Sequence, residues 1–334
     1  MKKTLLTICL VWMCFSLSAQ KIIDLSGKWS FSIDRQDNGE KEKWFSHTLN
    51  DFINLPGSMP EKLKGDEVTA KTQWTGSLYD SSYYYNPYME KYRKEGNIKF
   101  PFFLTPDKHY VGAAWYQKEV NIPADWKGER ILLFLERPHI ETTVWVNGQK
   151  TGMQNSLCVP HQYDITRYVR PGKCTITIRV DNRIKEINVG PDSHSITDQT
   201  QGNWNGIVGR ICLQTTPKTY FDDIQIYPEP EQKLARVKVV IKGTGTAKVK
   251  LSAESFNTDK KHIVPAIQQE IKLNKGVTET EMVLPMGNDM LLWDEFHPAL
   301  YKLKAEVTNG KKTEIKEIPV SYTHLRAHET LSDL

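Results

Sequence analysis

The chain has 334 residues, too many for one ordinary domain and suited to two of roughly 100–200 residues each. Hydrophobic residues make up 39% and charged residues 25%, which excludes a disordered chain, and 44 Lys plus Arg against 40 Asp plus Glu gives a net charge of +4, too small and too evenly spread for a nucleic-acid binder. Nine Trp and fourteen Tyr favour sheets, and surfaces that stack on flat apolar faces such as sugar rings. In chain order, Lys2 and Lys3 precede an apolar run from Leu5 to Leu17, and the small residues Ser16, Ser18 and Ala19 close it. This predicts a secretory signal peptide over residues 1–19, cut before Gln20, and an exported protein, periplasmic or extracellular. Cys9 and Cys14 leave with it, and Cys158, Cys174 and Cys212 remain. Three widely spaced Cys are no disulfide framework, though one bridge stays open, and the absence of a CxxC pair argues against structural zinc.

Beyond Gln20 the dominant pattern is alternation. Trp29, Phe31 and Ile33 share one face; so do Tyr116, Val120 and Ile122, then Ile131, Leu133 and Leu135, then Ile176, Ile178 and Val180. A period of two over four to eight residues marks half-buried strands. Asn147-Gly148 supplies the positive φ angles of a tight hairpin between two such runs, and Pro171-Gly172 and Asn309-Gly310 punctuate in the same way. The fold class is therefore all-β. Thr215, Thr216 and Pro217 close a first block, and Ile224 and Ile226 open the next, which holds seven candidate strands up to about Val320. The expected organisation is a jelly-roll sandwich over 20–218 and an immunoglobulin-like sandwich over 219–320. An insert over residues 75–110 carries Tyr79, Tyr83, Tyr84, Tyr85, Tyr88 and Tyr92, then Phe100, Phe102 and Phe103. Two readings stand for it: a loop packed over the sandwich, or a wall of a sugar site.

Six segments occur together in one order. They are YVGAAWYQKEV from Tyr110, VWVNG from Val144, YDITRYVRPG from Tyr163, IRVDNR from Ile178, NWNGIVGRI from Asn203 and LLWDEFHPALY from Leu291. In this order and spacing the chain resembles the non-catalytic N-terminal half of family 2 glycoside hydrolases, which include β-galactosidases, β-glucuronidases and β-mannosidases. The resemblance implies a jelly-roll sugar-binding domain, an immunoglobulin-like domain and then a (β/α)₈ barrel bearing two catalytic carboxylates about 5 Å apart. A barrel takes about 250 residues, so the chain is expected to be truncated before it, with no catalytic residue of its own and no activity alone. Residues 321–334 read SYTHLRAHETLSDL, without alternation, and are expected to be a non-native tail; His324, His328 and Glu329 do not form a zinc motif.

Asp181-Asn182 reads as a turn, Asp294 and Glu295 as surface turn residues, and His139 and His161 as hydrogen-bonded strand-edge residues. The polar stretch from Asp192 to Gly206, with His194 and Gln201 within it, surrounds Trp204 with hydrogen-bonding side chains, as a sugar subsite does. In the family a loop here leans over the barrel mouth, and some members place an Asp three residues before the Asn-aromatic-x-Gly pattern. Thr200 holds that position here, with Asp198 two residues earlier. The substrate-binding residues implied for the intact enzyme are Asp198, Thr200, Asn203, Trp204 and Tyr110, with Val111 beside the last. No cofactor or metal is expected. The partner is a carbohydrate, a β-galactoside-containing glycan, rather than nucleic acid or membrane, and the intact enzyme is compatible with a homo-oligomer. The first reading of activity is β-galactosidase; β-glucuronidase and β-mannosidase are the alternatives within the family, and a free-standing carbohydrate-binding protein the alternative outside it.

Overall fold

A computed structural model describes residues 21–76, 81–99, 105–185, 193, 194, 196–198, 200 and 202–322. Residues 1–20 and 323–334, and Tyr79, Phe100, Phe102, Phe103, Asp192 and Gln201, lie outside them, and with them the expected signal peptide and His324, His328 and Glu329. Two compact units part between Thr215 and Thr216.

The first unit holds β1 (Ile22–Asp24), β2 (Gly27–Asp34), β3 (Asp51–Leu55), β4 (Gly57–Ser58), β5 (Asp66–Glu67), β6 (Lys108–His109), β7 (Ala113–Ile122), β8 (Arg130–Pro138), β9 (Glu141–Val146), β10 (Gln149–Asn155), β11 (His161–Asp164), β12 (Gly172–Asp181) and β13 (Gly206–Thr216). One sheet runs β1-β13-β8-β11, with β4 also on β13; the other runs β10-β9-β12-β7-β2-β3. The alternating residues meet between them: Trp29, Phe31, Tyr116, Leu133, Leu135, Ile176, Ile178 and Ile207 form one core. Turns hold the register; Asn147, at φ 50°, and Gly148, at φ 78°, link β9 to β10.

The outer face of the larger sheet does not alternate to polar as a solvated face would. All six residues of β9 are buried. The segment between β2 and β3 explains this, because Trp44, Phe45 and Leu49 pack over Trp115 and Trp145. The Trp115 and Trp145 rings lie 5.0 Å apart, and the Trp115 indole Nε1 donates to Asp34 at 2.9 Å. Across the seam between β10 and β11 the Gln154 amide donates to the Gln162 carbonyl at 2.5 Å and accepts from its N–H at 3.3 Å. That pairing imitates a strand where no strand is present.

The second unit is made of β14 (Tyr220–Glu229), β15 (Leu234–Phe256), β16 (Ile263–Pro285), β17 (Leu300–Asn309) and β18 (Lys312–Ser321). Five strands accommodate the seven expected runs because two of them are long. The first half of β15 pairs with β14 and with the second half of β16, and its second half pairs with β17 and the first half of β16. The change of partner falls at Gly243-Thr244-Gly245, where the register shifts and Gly245 takes φ 85°. Inward alternation survives the bend, with Val237, Val239 and Ile241 before it and Ala247, Val249 and Leu251 after it in one core.

Ser321 and Tyr322, assigned to the tail by sequence, belong to this unit. Ser321 pairs with Leu300 at the end of β18, and Tyr322 is 1% exposed against the Tyr301 ring at 5.3 Å. The Tyr322 carbonyl accepts from Trp293 N–H at 3.0 Å, inside the LLWDEFHPALY motif. Asp294 is the turn residue expected there, accepting from the N–H groups of Phe296 and His297. The three cysteines are free: Cys174 and Cys212 are buried and Cys158 is exposed. Burial pushes the Cys174 thiol up to about 11.

Candidate functional site: the loop ending at Trp204

Residues 202–205 lead into β13 beside the ends of β7 and β12, and three asparagines fix them there. Asn182, just past β12, accepts from Gly112 N–H at 2.8 Å and donates to the Tyr110 carbonyl at 2.8 Å and to Asn203 Oδ1 at 3.0 Å. The Asn203 amide donates to the Asn182 carbonyl at 3.1 Å and to the Thr75 hydroxyl at 2.9 Å. Asn205 donates to the carbonyls of Gly112 and Val180 at 2.9 and 3.0 Å and accepts from the Tyr116 hydroxyl at 2.8 Å. An irregular chain buried in this way must satisfy its backbone groups by side chains, and asparagine, with donors and an acceptor on one short arm, does so. Asp181 ends β12, and both Asp181 and Asn182, read from sequence as a turn, are fully buried.

Asp198 is the second fixing point. Oδ2 accepts from Thr75 N–H at 2.6 Å and faces His109 Nε2 at 3.3 Å, and Oδ1 accepts from Asn203 N–H at 2.5 Å. Its own N–H donates to the Thr75 carbonyl at 3.1 Å, and the Trp74 ring lies 4.7 Å from that of His109. Burial works against the charged carboxylate, but the hydrogen bonds from His109, Asn203 and Thr75 outweigh it and lower its pKa. Asp198 thus ties both ends of the tyrosine-rich insert, at Thr75 and His109, to the loop.

Of the five substrate residues implied by sequence, three point inward. Asp198 and Asn203 are 4% and 5% exposed, with their polar atoms engaged by protein groups. Tyr110 is a core residue whose hydroxyl donates to the Ala113 carbonyl at 2.9 Å. Thr200 is exposed, its hydroxyl held by the His194 carbonyl at 2.5 Å and facing the Thr197 hydroxyl at 2.8 Å. Trp204 is half-buried. Alternation between Asn203 and Asn205 turns it the opposite way, and it stacks on His139 at 4.6 Å and 21°. His139 Nδ1 meets the Trp204 carbonyl at 2.7 Å, and burial lowers its pKa, favouring the neutral ring. His161 is also inside, with Nδ1 2.6 Å from the Thr142 hydroxyl.

Gly206 closes the loop. It sits at φ 146°, and a Cβ there would lie 2.5 Å from the Gly57 carbonyl oxygen and 2.8 Å from the Ser58 Cα. Both are backbone atoms and cannot rotate away. Gly206→Ala should therefore cost about 2–3 kcal/mol and loosen the pairing of β4 with β13, read as a lowered melting temperature and faster amide exchange at Ile207.

Sequence reasoning missed a second polar cluster. Arg179 donates to Asp37 at 2.6 Å, to Asp181 at 3.0 Å and to Glu141 at 3.3 Å. Arg183 and Lys185 also reach Asp181, at 2.6 and 2.8 Å, and Lys185 reaches Glu141 at 3.0 Å. Three carboxylates thus balance three cations around the end of β12. The IRVDNR string carried the signal, since Arg179, Asp181 and Arg183 recur at every second position through the end of β12. Among the described residues no three His, Cys, Asp or Glu side chains are grouped to hold a metal ion.

The division into two units agrees with family comparison. Residues 22–217 match the model described as "Glycosyl hydrolases family 2, sugar binding domain", and residues 219–322 match "Glycosyl hydrolases family 2". The chain belongs to glycosyl hydrolase family 2. It is 24% identical over 319 residues to β-glucuronidase of Homo sapiens, covering 85% of this chain and 41% of that protein. It is 23% identical over 317 residues to β-galactosidase of Clostridium acetobutylicum, covering 92% and 32%. The solved β-glucuronidase of an uncultured Clostridium sp. shares the fold with a TM-score of 0.58 at 20% identity, over 91% of this chain and 45% of that one. The chain spans less than half the length of these relatives.

Proposed function

We propose that residues 21–322 form the sugar-binding and supporting β-domains of an exported, retaining family 2 glycosidase, and that the loop ending at Trp204 makes one wall of its sugar site. The observation that carries this reading is the division of labour in the loop. Asp198, Asn203 and Asn205 turn inward and fix the backbone, while Trp204 and Thr200 stand at the surface. A ring held on one face by His139 is positioned before any ligand arrives, so little ordering is required on binding.

The catalytic carboxylates belong, in this reading, to the barrel of the longer protein, and the described chain contributes recognition. For the sugar, the likeness to β-glucuronidases from several mammals and from Paenibacillus borealis favours a terminal β-glucuronosyl residue. The likeness to a β-galactosidase supports the second reading, a β-galactoside.

The test is the complete reading frame that carries this segment, expressed and assayed on nitrophenyl β-glucuronide, β-galactoside and β-mannoside. Glucuronide hydrolysis should lead, and the secreted protein should begin at Gln20. Trp204→Ala should lower kcat/KM by about 1–3 kcal/mol of transition-state stabilisation, the scale of a buried apolar contact. A faster galactoside rate would return the second reading. Turnover by residues 21–322 alone would overturn the assignment of the chemistry to the remainder of the protein.

A further inference from the structure

In the second unit, the outer face of the layer built on the second half of β15 changes character along its length. Through its middle it is charged: Lys250 and Lys304 pair with Glu306 at 3.2 and 3.4 Å, and Lys302 pairs with Glu317 at 3.6 Å. A face laced in this way is at home in water. At the end where the chain leaves β18 the face turns apolar. Ile263, 60% exposed, stands opposite Glu254, and Phe256, 36% exposed, stands opposite Leu300. Both point away from the core, since the inward positions of these strands are Val264, Leu251 and Ala253. Leu300 is in turn opposite Ser321, the last residue of β18, and Pro319 is exposed in the next row.

The loop at the same end adds a larger ring. Phe296 is 80% exposed on a turn that is fixed from within: Asp294 accepts from the N–H groups of Phe296 and His297 at 2.8 and 2.7 Å, and Trp293 bridges to Pro298 at its base. The Asn257 amide, one residue past Phe256, donates to the Pro298 carbonyl at 2.8 Å and brings the turn against the end of β15. Trp293 N–H donates to the Tyr322 carbonyl at 3.0 Å, which ties the turn to the residue at which the chain leaves the unit. Single exposed apolar side chains are ordinary, but Phe256, Ile263 and Phe296 are gathered at one end on a fixed backbone, and such a patch marks a surface that is covered in use.

We infer that this patch is the seat on which the domain following Tyr322 in the longer protein docks, through an apolar face of its own. The position of the patch selects that occupant. Ser321 and Tyr322 border it, so whatever follows them begins beside Phe256 and Phe296. A domain tethered there meets the patch at a high effective concentration, and a few side chains are enough to seat it. A second copy or an untethered protein would need about 20–30 residues a side for a stable complex, and this patch is a handful of side chains bounded by paired charges. The relatives have the length for such a domain, since the chain spans 41% of the human β-glucuronidase and 32% of the Clostridium acetobutylicum β-galactosidase. Docking would hold that domain in one orientation instead of on a free joint. The inference rests on the proposed reading of this segment as part of a longer enzyme, and not on which sugar that enzyme cleaves.

The experiment is thiol labelling of Phe296→Cys, and separately of Ile263→Cys, with a small maleimide, in the present chain and in the complete reading frame. Peptide mapping separates each position from the exposed Cys158. In the present chain both positions should label at the rate of an exposed thiol, and in the complete protein at least roughly tenfold more slowly, because reaction then waits on opening of the contact. The Phe296→Ser/Ile263→Ser double variant should leave the melting temperature of the present chain unchanged and lower that of the complete protein by about 4 °C. Equal labelling in the two proteins would overturn the docking seat. So would labelling of the present chain that slows as its concentration rises, which would assign the patch to a second copy. A complete protein that shields both positions yet hydrolyses no β-glycoside would remove the glycosidase reading and leave the docking seat standing, and an active one that labels freely would do the reverse.

Discussion

Replacing Asn205 with Leu should destabilise the first unit by about 4–6 kcal/mol, the largest single-residue effect expected in this protein. The side chain is fully buried and serves three groups at once: the Tyr116 hydroxyl and the carbonyls of Gly112 and Val180. Leucine fills similar space but removes that partner from all three, stranding the Tyr116 hydroxyl and leaving the Gly112 carbonyl only the longer bond from Asn182 N–H at 3.4 Å, at about 1–3 kcal/mol for each buried group left short of a partner. A companion variant separates these costs. Tyr116→Phe removes only the hydroxyl and should cost about 1 kcal/mol alone; in the Asn205→Leu background it should cost nothing or recover stability, because the orphan disappears with it. Tryptophan fluorescence is the appropriate probe, since among the described residues only Trp293 lies beyond Thr215. Equal and additive losses in the two variants would mean that the hydroxyl and amide are not coupled.

The second large effect should come from Asp181→Asn. This carboxylate is completely buried and receives Arg179, Arg183 and Lys185. Neutralising it leaves Arg179, 7% exposed, dependent on Asp37 and Glu141. Breaking a buried pair by one partner costs about 3–5 kcal/mol, and the two remaining carboxylates hold the expected loss near about 3. The same group sets a pH dependence. Burial opposes the Asp181 charge, but hydrogen bonds from Arg183 and Lys185 and the field of Arg179 override it and depress its pKa well below the ordinary carboxylate range. A folded-state pKa below the unfolded value means that the stabilisation is fully present above the unfolded pKa, about 3.9, and is lost as pH falls towards the folded value. The unsubstituted protein should therefore lose stability on acidification below about pH 4, and Asp181→Asn should flatten that part of the curve. A variant as steep as its parent would locate the acid sensitivity in other carboxylates.

The sequence made the fold legible where one face of a strand is apolar and the other is not. Ile176, Ile178 and Val180 could be placed inside from their spacing, and they are. The same logic falters at β9, because Trp145 is buried on the outer face under Phe45, a contact of residues a hundred positions apart. Asp181-Asn182 looked like a turn because both residues favour turns locally; their burial depends on Arg179, Arg183 and the far end of the loop, which local preference does not register. The candidate loop was found from its composition, but the direction of each side chain was not. Asp198 turns inward because His109 and Thr75 receive it, and neither residue carries any mark of that partnership in the string. Gly243-Thr244-Gly245 is a bend within one strand.

That bend has a consequence for how the second unit reaches its fold. Because β15 and β16 remain paired along nearly their whole lengths, from Leu234 with Pro285 to Glu254 with Ile263, one hairpin contributes neighbouring strands to both layers. An alignment error of one residue between them would turn Val237 and Val249 outward together, so neither layer could settle while the other was misaligned. The layers are thereby denied independent mistakes. The hairpin links residues close in sequence before the remaining strands join, which makes it a natural first element to form, with β14, β17 and β18 adding to an alignment already chosen.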